Sequence, residues 1–144
     1  ASSKRYRYRV FTAPVVPPFI RPYVSHVRAP LRLALMRREL AAVKGRHDFA
    51  AFARAGTRTS RTTVRVVTAA HLTRRGDEVH VEVEGNGFLH TMVRSLTGTL
   101  LDVGRGRLPP GTLLKMLKTR RRALAGTTAP AQGLSLLSVS YSGT

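Results

Sequence analysis

With 144 residues and an apolar fraction of 42%, the chain is long enough for one hydrophobic core and too apolar for a disordered polyelectrolyte. No apolar run is long enough to span a bilayer, and the basic, aromatic first ten residues lack the apolar stretch of a secretory leader, so neither a membrane span nor a leader is expected. The absence of cysteine excludes disulfides and thiolate-held metals and leaves the compartment open, with the cytoplasm as the default.

Net charge is +18 with a pI near 11.9, unevenly spread. Residues 1–75 carry a net +15, residues 76–84 a net −4 from Asp77, Glu78, Glu82 and Glu84, and residues 85–144 a net +7. The bases are 21 Arg to 4 Lys, and arginine suits bidentate contacts to phosphate and stacking on bases. This asymmetry reads as a polyanion-binding surface, with nucleic acid as the partner class. GC-rich coding is the competing origin of an arginine excess.

In chain order, residues 4–11 alternate: Lys4, Tyr6, Tyr8 and Val10 face one way and Arg5, Arg7, Arg9 and Phe11 the other, which predicts a strand. The chain enters it almost at once and without a starting methionine, as a piece of something longer would. Residues 12–30 hold five prolines and read as an extended connection. Pro30 then opens a helix in the favoured first turn, ended by Gly45.

Residues 46–62 read as a polar loop carrying Phe49 and Phe52, either a small core under the loop or base-stacking groups. Residues 63–72 and 78–84 form a hairpin around Arg74-Arg75-Gly76-Asp77, with Val79, Val81 and Val83 inward and the acids outward, on a face RNA should avoid. A helix over residues 88–103, a short helix near 111–118, the Arg120-Arg121-Arg122 run and a closing strand over 133–141 complete the order β-α-β-β-α-α-β. The predicted fold is a single α+β domain over residues 1–144, with a four-stranded, mainly antiparallel sheet, helices on one face and the other face open. Arg120-Arg121-Arg122 is either solvated or a phosphate contact. The five histidines lack metal-ligand spacing.

Residues 85–98 are the most informative stretch. A strand ends on Gly85-Asn86-Gly87, and the helix that follows carries Arg94 off its apolar stripe. A permanently charged guanidinium there calls for an anion: phosphate, a carboxylate, or else water alone. His90, four residues earlier, lines the same cleft or its rim.

Four motifs occur together: Lys-Arg-Tyr-Arg-Tyr, Arg-His-Asp-Phe-Ala-Ala-Phe, Gly-Asn-Gly-Phe-Leu-His-Thr-Met-Val-Arg and Gly-Leu-Ser-Leu-Leu-Ser-Val-Ser-Tyr. In this order and spacing the chain resembles the C-terminal half of the tRNA pseudouridine synthase A family. The resemblance implies an isomerase that flips a uridine from the tRNA anticodon arm (positions 38–40), breaks its glycosidic bond, turns the base and rejoins it through carbon. It implies no cofactor or metal, a homodimer with tRNA across both subunits, and a cytoplasmic, non-membrane setting. By the resemblance, Tyr6 stacks on the target base and takes part in proton transfer, and Arg94 pairs with the catalytic aspartate. Gly133, Leu134 and Leu136 match the apolar wall of the uridine pocket. His47, Asp48, Phe49 and Phe52 match an RNA-contacting loop, with Arg5, Arg7, Arg58, Arg61 and His90 as further RNA contacts.

The family's nucleophilic aspartate stands in an Arg-Thr-Asp-Ala-Gly type of motif, and Asp48, Asp77 and Asp102 match none of it. The expectation is therefore half an active site, inactive in isolation. The rival is a catalytically silent RNA-binding module of a ribonucleoprotein. A purely structural ribosomal protein would carry extended basic tails, which are not seen here.

Overall fold

A computed structural model describes residues 2–53, 62–89 and 91–141. Its centre is strand β1 (Ser2–Phe11), whose strict alternation gives it two usable faces and whose two edges are both paired. On one edge it runs antiparallel to β5 (Glu78–Gly85), which continues through a hairpin to β4 (Val64–Arg75) and on to β3 (Gly45–Asp48). On the other edge lie β6 (Leu134–Tyr141), antiparallel, and the two-residue β2 (Ser25–His26), parallel.

The sheet thus has six strands, ordered β2-β1-β5-β4-β3 with β6 also on β1, rather than the expected four. The mixed α+β class stands. The two extra strands were hidden for different reasons. β2 is two residues long inside the proline-rich connection. β3 begins on Gly45 and ends on Asp48, both poor strand formers, and owes its conformation to pairing with β4 rather than to its own pattern.

Three helices follow the predicted order: α1 (Leu33–Ala41), α2 (Met92–Gly104) and α3 (Thr112–Thr119). Pro30 lies outside α1, because the chain stays extended until the Arg32 amide has bonded to the Gly104 carbonyl at 2.9 Å. α2 begins four residues later than the apolar spacing suggests. Thr91 sits at φ 63°, in the left-handed region, so Phe88 and Leu89 belong to the approach and not to the helix.

The apolar face of β1 and β5 meets α1 and α2. Tyr8, Val10 and Val81 are fully buried there with Met36, Leu40, Leu96 and Leu100, each such side chain contributing about 1.5–3 kcal/mol on removal from water. Phe49 and Phe52, on and beside the short turn Ala50–Phe52, are also fully buried in this same cluster. That corrects their expected role: rings without exposed surface cannot stack on bases, and they belong to the main core.

The opposite face of the β1–β5 pair carries an ionic ladder. Arg5 meets Glu84 at 2.9 Å, Arg7 meets Glu82 at 2.9 Å, and Arg9 meets Glu78 at 2.7 Å. The register dictates this, since Arg5 stands opposite Glu84 and Arg7 opposite Glu82. The acids are therefore neutralised by β1 and do not form a bare anionic face. A second, smaller apolar cluster of Phe11, Val16 and Val24 anchors the proline-rich connection.

Candidate active-site cleft

The turn after β5 sets the site. Asn86 takes the place of a strand residue: its side-chain oxygen accepts the Val66 amide at 3.0 Å and its own amide donates to the Val66 carbonyl at 3.1 Å. This pins the chain to β4 and sends Phe88 back over β1. There the Phe88 ring meets the Tyr6 ring edge-on, with centroids 5.2 Å apart and planes at 86°. Thr91 then turns the backbone into α2, which places Arg94 in the first helical turn.

Tyr6, Phe88, Thr91, Arg94, Ala131 and Leu134 line one cleft of about 360 Å³, together with Leu89, Met92 and Val93. Tyr6 and Arg94 are each half-buried. The cleft is mostly apolar, with a phenol on one wall and a guanidinium on another, and it is large enough for a single planar base.

The Arg94 guanidinium is tethered, not loose. Its Nε donates to the Ala129 carbonyl at 2.8 Å, and the Ala129 amide donates back to the Arg94 carbonyl at 3.0 Å. Using Nε in this way leaves the two terminal nitrogens, the paired donors that suit a carboxylate or phosphate. Among the described residues no carboxylate lies within ion-pair distance of Arg94. The three aspartates lie elsewhere. Asp48 accepts from the Ala50 amide and the Thr63 hydroxyl. Asp77 is exposed in the hairpin turn. Asp102 is buried, bonded to Arg105 and to the Thr127 amide.

Tyr8, which the sequence placed only as a face-mate of Tyr6, lies fully buried next to this site. Its hydroxyl donates to the Pro130 carbonyl at 2.5 Å. Burial pushes the phenol up from its ordinary value, opposed by a hydrogen bond with Ser25 and by the positive charge of Arg94. Gly133 packs flat on the Tyr8 ring, where a Cβ would come within 2.7 Å of ring carbons. Gly133 is not among the residues that line the cleft. Leu134 does line the cleft, whereas Leu136, opposite Tyr6 in the β1–β6 register, is 49% exposed and is not among the lining residues.

The expected RNA contacts divide. Arg5 and Arg7 pair with Glu84 and Glu82 through Nε and Nη2. His47 Nε2 is 2.8 Å from the Lys44 carbonyl. Asp48 holds its loop and lies 3.7 Å from Arg120. Arg58, Arg61 and His90 lie outside the described residues. No group of three or more metal-ligating side chains is found among the described residues, and no helix among them is long and apolar enough to cross a membrane.

Comparison with known proteins places the chain in a family. Residues 40–142 match a family model described as tRNA pseudouridine synthase. A tRNA pseudouridine synthase A from Pelobacter propionicus is 45% identical over 141 residues, which cover 98% of this chain and 57% of that protein. Proteins of the same description from Syntrophotalea carbinolica (45% identical, 98% and 56% covered) and Picosynechococcus sp. (42% identical, 98% and 52% covered) are similar along the same stretch. The chain thus spans a little over half the length of these relatives.

Proposed function

The chain belongs to the tRNA pseudouridine synthase family, and from that premise we propose that it supplies one side of a uridine-isomerising active site. The observation that carries the reading is the tethered Arg94, which faces an apolar cleft with both terminal nitrogens available and no carboxylate of the described chain beside it. The counter-charge is the nucleophilic aspartate of a segment outside these 144 residues, and the chain acts as the C-terminal domain of a longer synthase.

In this reading each group has a defined task. Tyr6, held edge-on by Phe88, stacks on a uridine flipped out of the tRNA anticodon arm at positions 38–40. Leu134 closes the apolar side of the pocket. Arg94 keeps the incoming carboxylate ionised and oriented, since a guanidinium beside an acid lowers its pKa by about 1–3 units. The carboxylate attacks, the glycosidic bond breaks, the base turns within the cleft, and a carbon–carbon bond replaces the carbon–nitrogen bond. The hydrogen displaced from the new carbon leaves to solvent, with the Tyr6 phenol placed to assist. The working assembly is a cytoplasmic homodimer with tRNA as its partner, and no step calls for a cofactor.

The test is a separation of turnover from affinity. In the full-length enzyme Arg94→Ala should abolish most tritium release from uridine-labelled tRNA and leave the tRNA dissociation constant nearly unchanged. Equal losses in both would move Arg94 from carboxylate pairing to phosphate binding and overturn the assignment.

A further inference from the structure

α2 is an apolar helix with a buried polar stripe that the proposed chemistry does not use. Thr99 is fully buried and Asp102 is 4% exposed. Polar groups taken out of water are costly unless they are bonded, and both bond to the same object, the segment 126–130. The Gly126 amide donates to Thr99 Oγ1 at 3.0 Å, and the Thr127 amide donates to Asp102 Oδ2 at 2.9 Å. One turn and a half closer to the N-terminus, the same segment reaches Arg94 through the paired Ala129 bonds. Its far end is pinned where Tyr8 bonds the Pro130 carbonyl.

The strap lies so close to the helix that a Cβ on Gly98 would overlap the Thr127 carbonyl oxygen. Asp102 itself is fixed from the other side, since Oδ1 accepts Arg105 Nε at 2.9 Å. The Ala129 carbonyl that holds the Arg94 guanidinium is therefore placed by a chain of contacts that starts at Thr99 and Asp102, about two helical turns away.

We propose that Thr99 and Asp102 are positioning residues of the active site, which act on Arg94 through the 126–130 strap. The inference rests on the reading of Arg94 as the partner of the nucleophile. Releasing the strap lets the Ala129 carbonyl shift, and the guanidinium swings away from where the carboxylate must sit. A displacement of about 1 Å at a reacting group costs up to about 100-fold in rate.

The test uses the full-length enzyme and four variants, with single-turnover tritium release, tRNA affinity and thermal melting measured on each. Thr99→Val keeps the shape of the side chain and removes the acceptor for Gly126. Asp102→Ala removes the acceptor for Thr127. Leu113→Ala, a fully buried core position on α3 with no bond to the strap, is the stability control, and Arg94→Lys checks the underlying reading. Thr99→Val and Asp102→Ala should slow the single-turnover rate about 10- to 100-fold with tRNA affinity changed less than about twofold. Leu113→Ala should lower the melting temperature and leave the rate within about twofold. Should Asp102→Ala fail to fold, Thr99→Val decides alone. Unslowed strap variants, or a Leu113→Ala enzyme as slow as they are, would overturn the inference. If Arg94→Lys is slow while the strap variants are fast, only the positioning role falls. If Arg94→Lys is itself fast, the reading of Arg94 falls and takes the inference with it.

Discussion

Arg7 and Arg94 are both half-buried arginines beside a tyrosine of β1, and they are used in opposite ways. Arg7 faces Glu82 across the strand pair, so its charge is closed within the fold. Arg94 gives one donor to a backbone carbonyl and directs the rest into a cleft. The same contrast separates the two faces of the sheet. On the ladder face every arginine of β1 has a glutamate of β5, and on the cleft side no carboxylate of the described residues pairs with Arg94. The three ladder pairs cancel within the formal charge of +18, so the excess positive charge on offer to RNA comes from residues other than the arginines of β1.

The sharpest way to break this comparison is Arg94→Ala, for which turnover should fall about 10²- to 10³-fold, the scale of losing one preorganised donor at a reacting centre. Next is Gly98→Ala. A Cβ there collides with the strap backbone, so unfolding experiments should show a loss of about 1–3 kcal/mol and turnover should fall as well.

Glu78→Gln probes the ladder. The Arg9 hydrogen bond is the main cause that holds the Glu78 carboxyl down to about 2; partial burial opposes it and His80 adds to it. Because the folded value lies below the ordinary 4.5, this stabilisation is complete above pH 4.5 and disappears as pH falls towards 2. The variant should lose about 1–3 kcal/mol at pH 7, and its urea midpoint should converge on that of the parent in acid. The smallest effect belongs to Arg7→Met, worth about 0–1 kcal/mol of stability. It should leave the salt dependence of tRNA binding unchanged. A salt slope reduced by about one unit would instead make Arg7 a phosphate contact.

The sequence carried the long alternating strands, because period-two patterns in residues 4–11 and 78–84 leave one fold-compatible face each. It also singled out Tyr6 and Arg94 through motif register, and the fold brings both to one cleft. It did not carry the closure of Arg5 and Arg7 by Glu84 and Glu82. That depends on which strand lies beside β1 and in what register, a long-range pairing that local pattern does not encode. Phe49 and Phe52 read equally well as loop aromatics or core, and burial under the Ala50–Phe52 turn decides for core. The late start of α2 rests on the left-handed Thr91, which no apolar spacing reveals. The strap is least legible of all. Thr99 and Asp102 look like ordinary polar positions on a helix until residues 126–130 are folded back along them.

The central claim is that the carboxylate for Arg94 lies outside these 144 residues. It is tested most directly by tritium release from tRNA labelled at C5 of uridine, with the 144-residue chain alone beside the full-length enzyme. The account predicts that the chain binds the tRNA and releases no tritium, while the full-length enzyme turns over. Robust release by the 144-residue chain alone would contradict it.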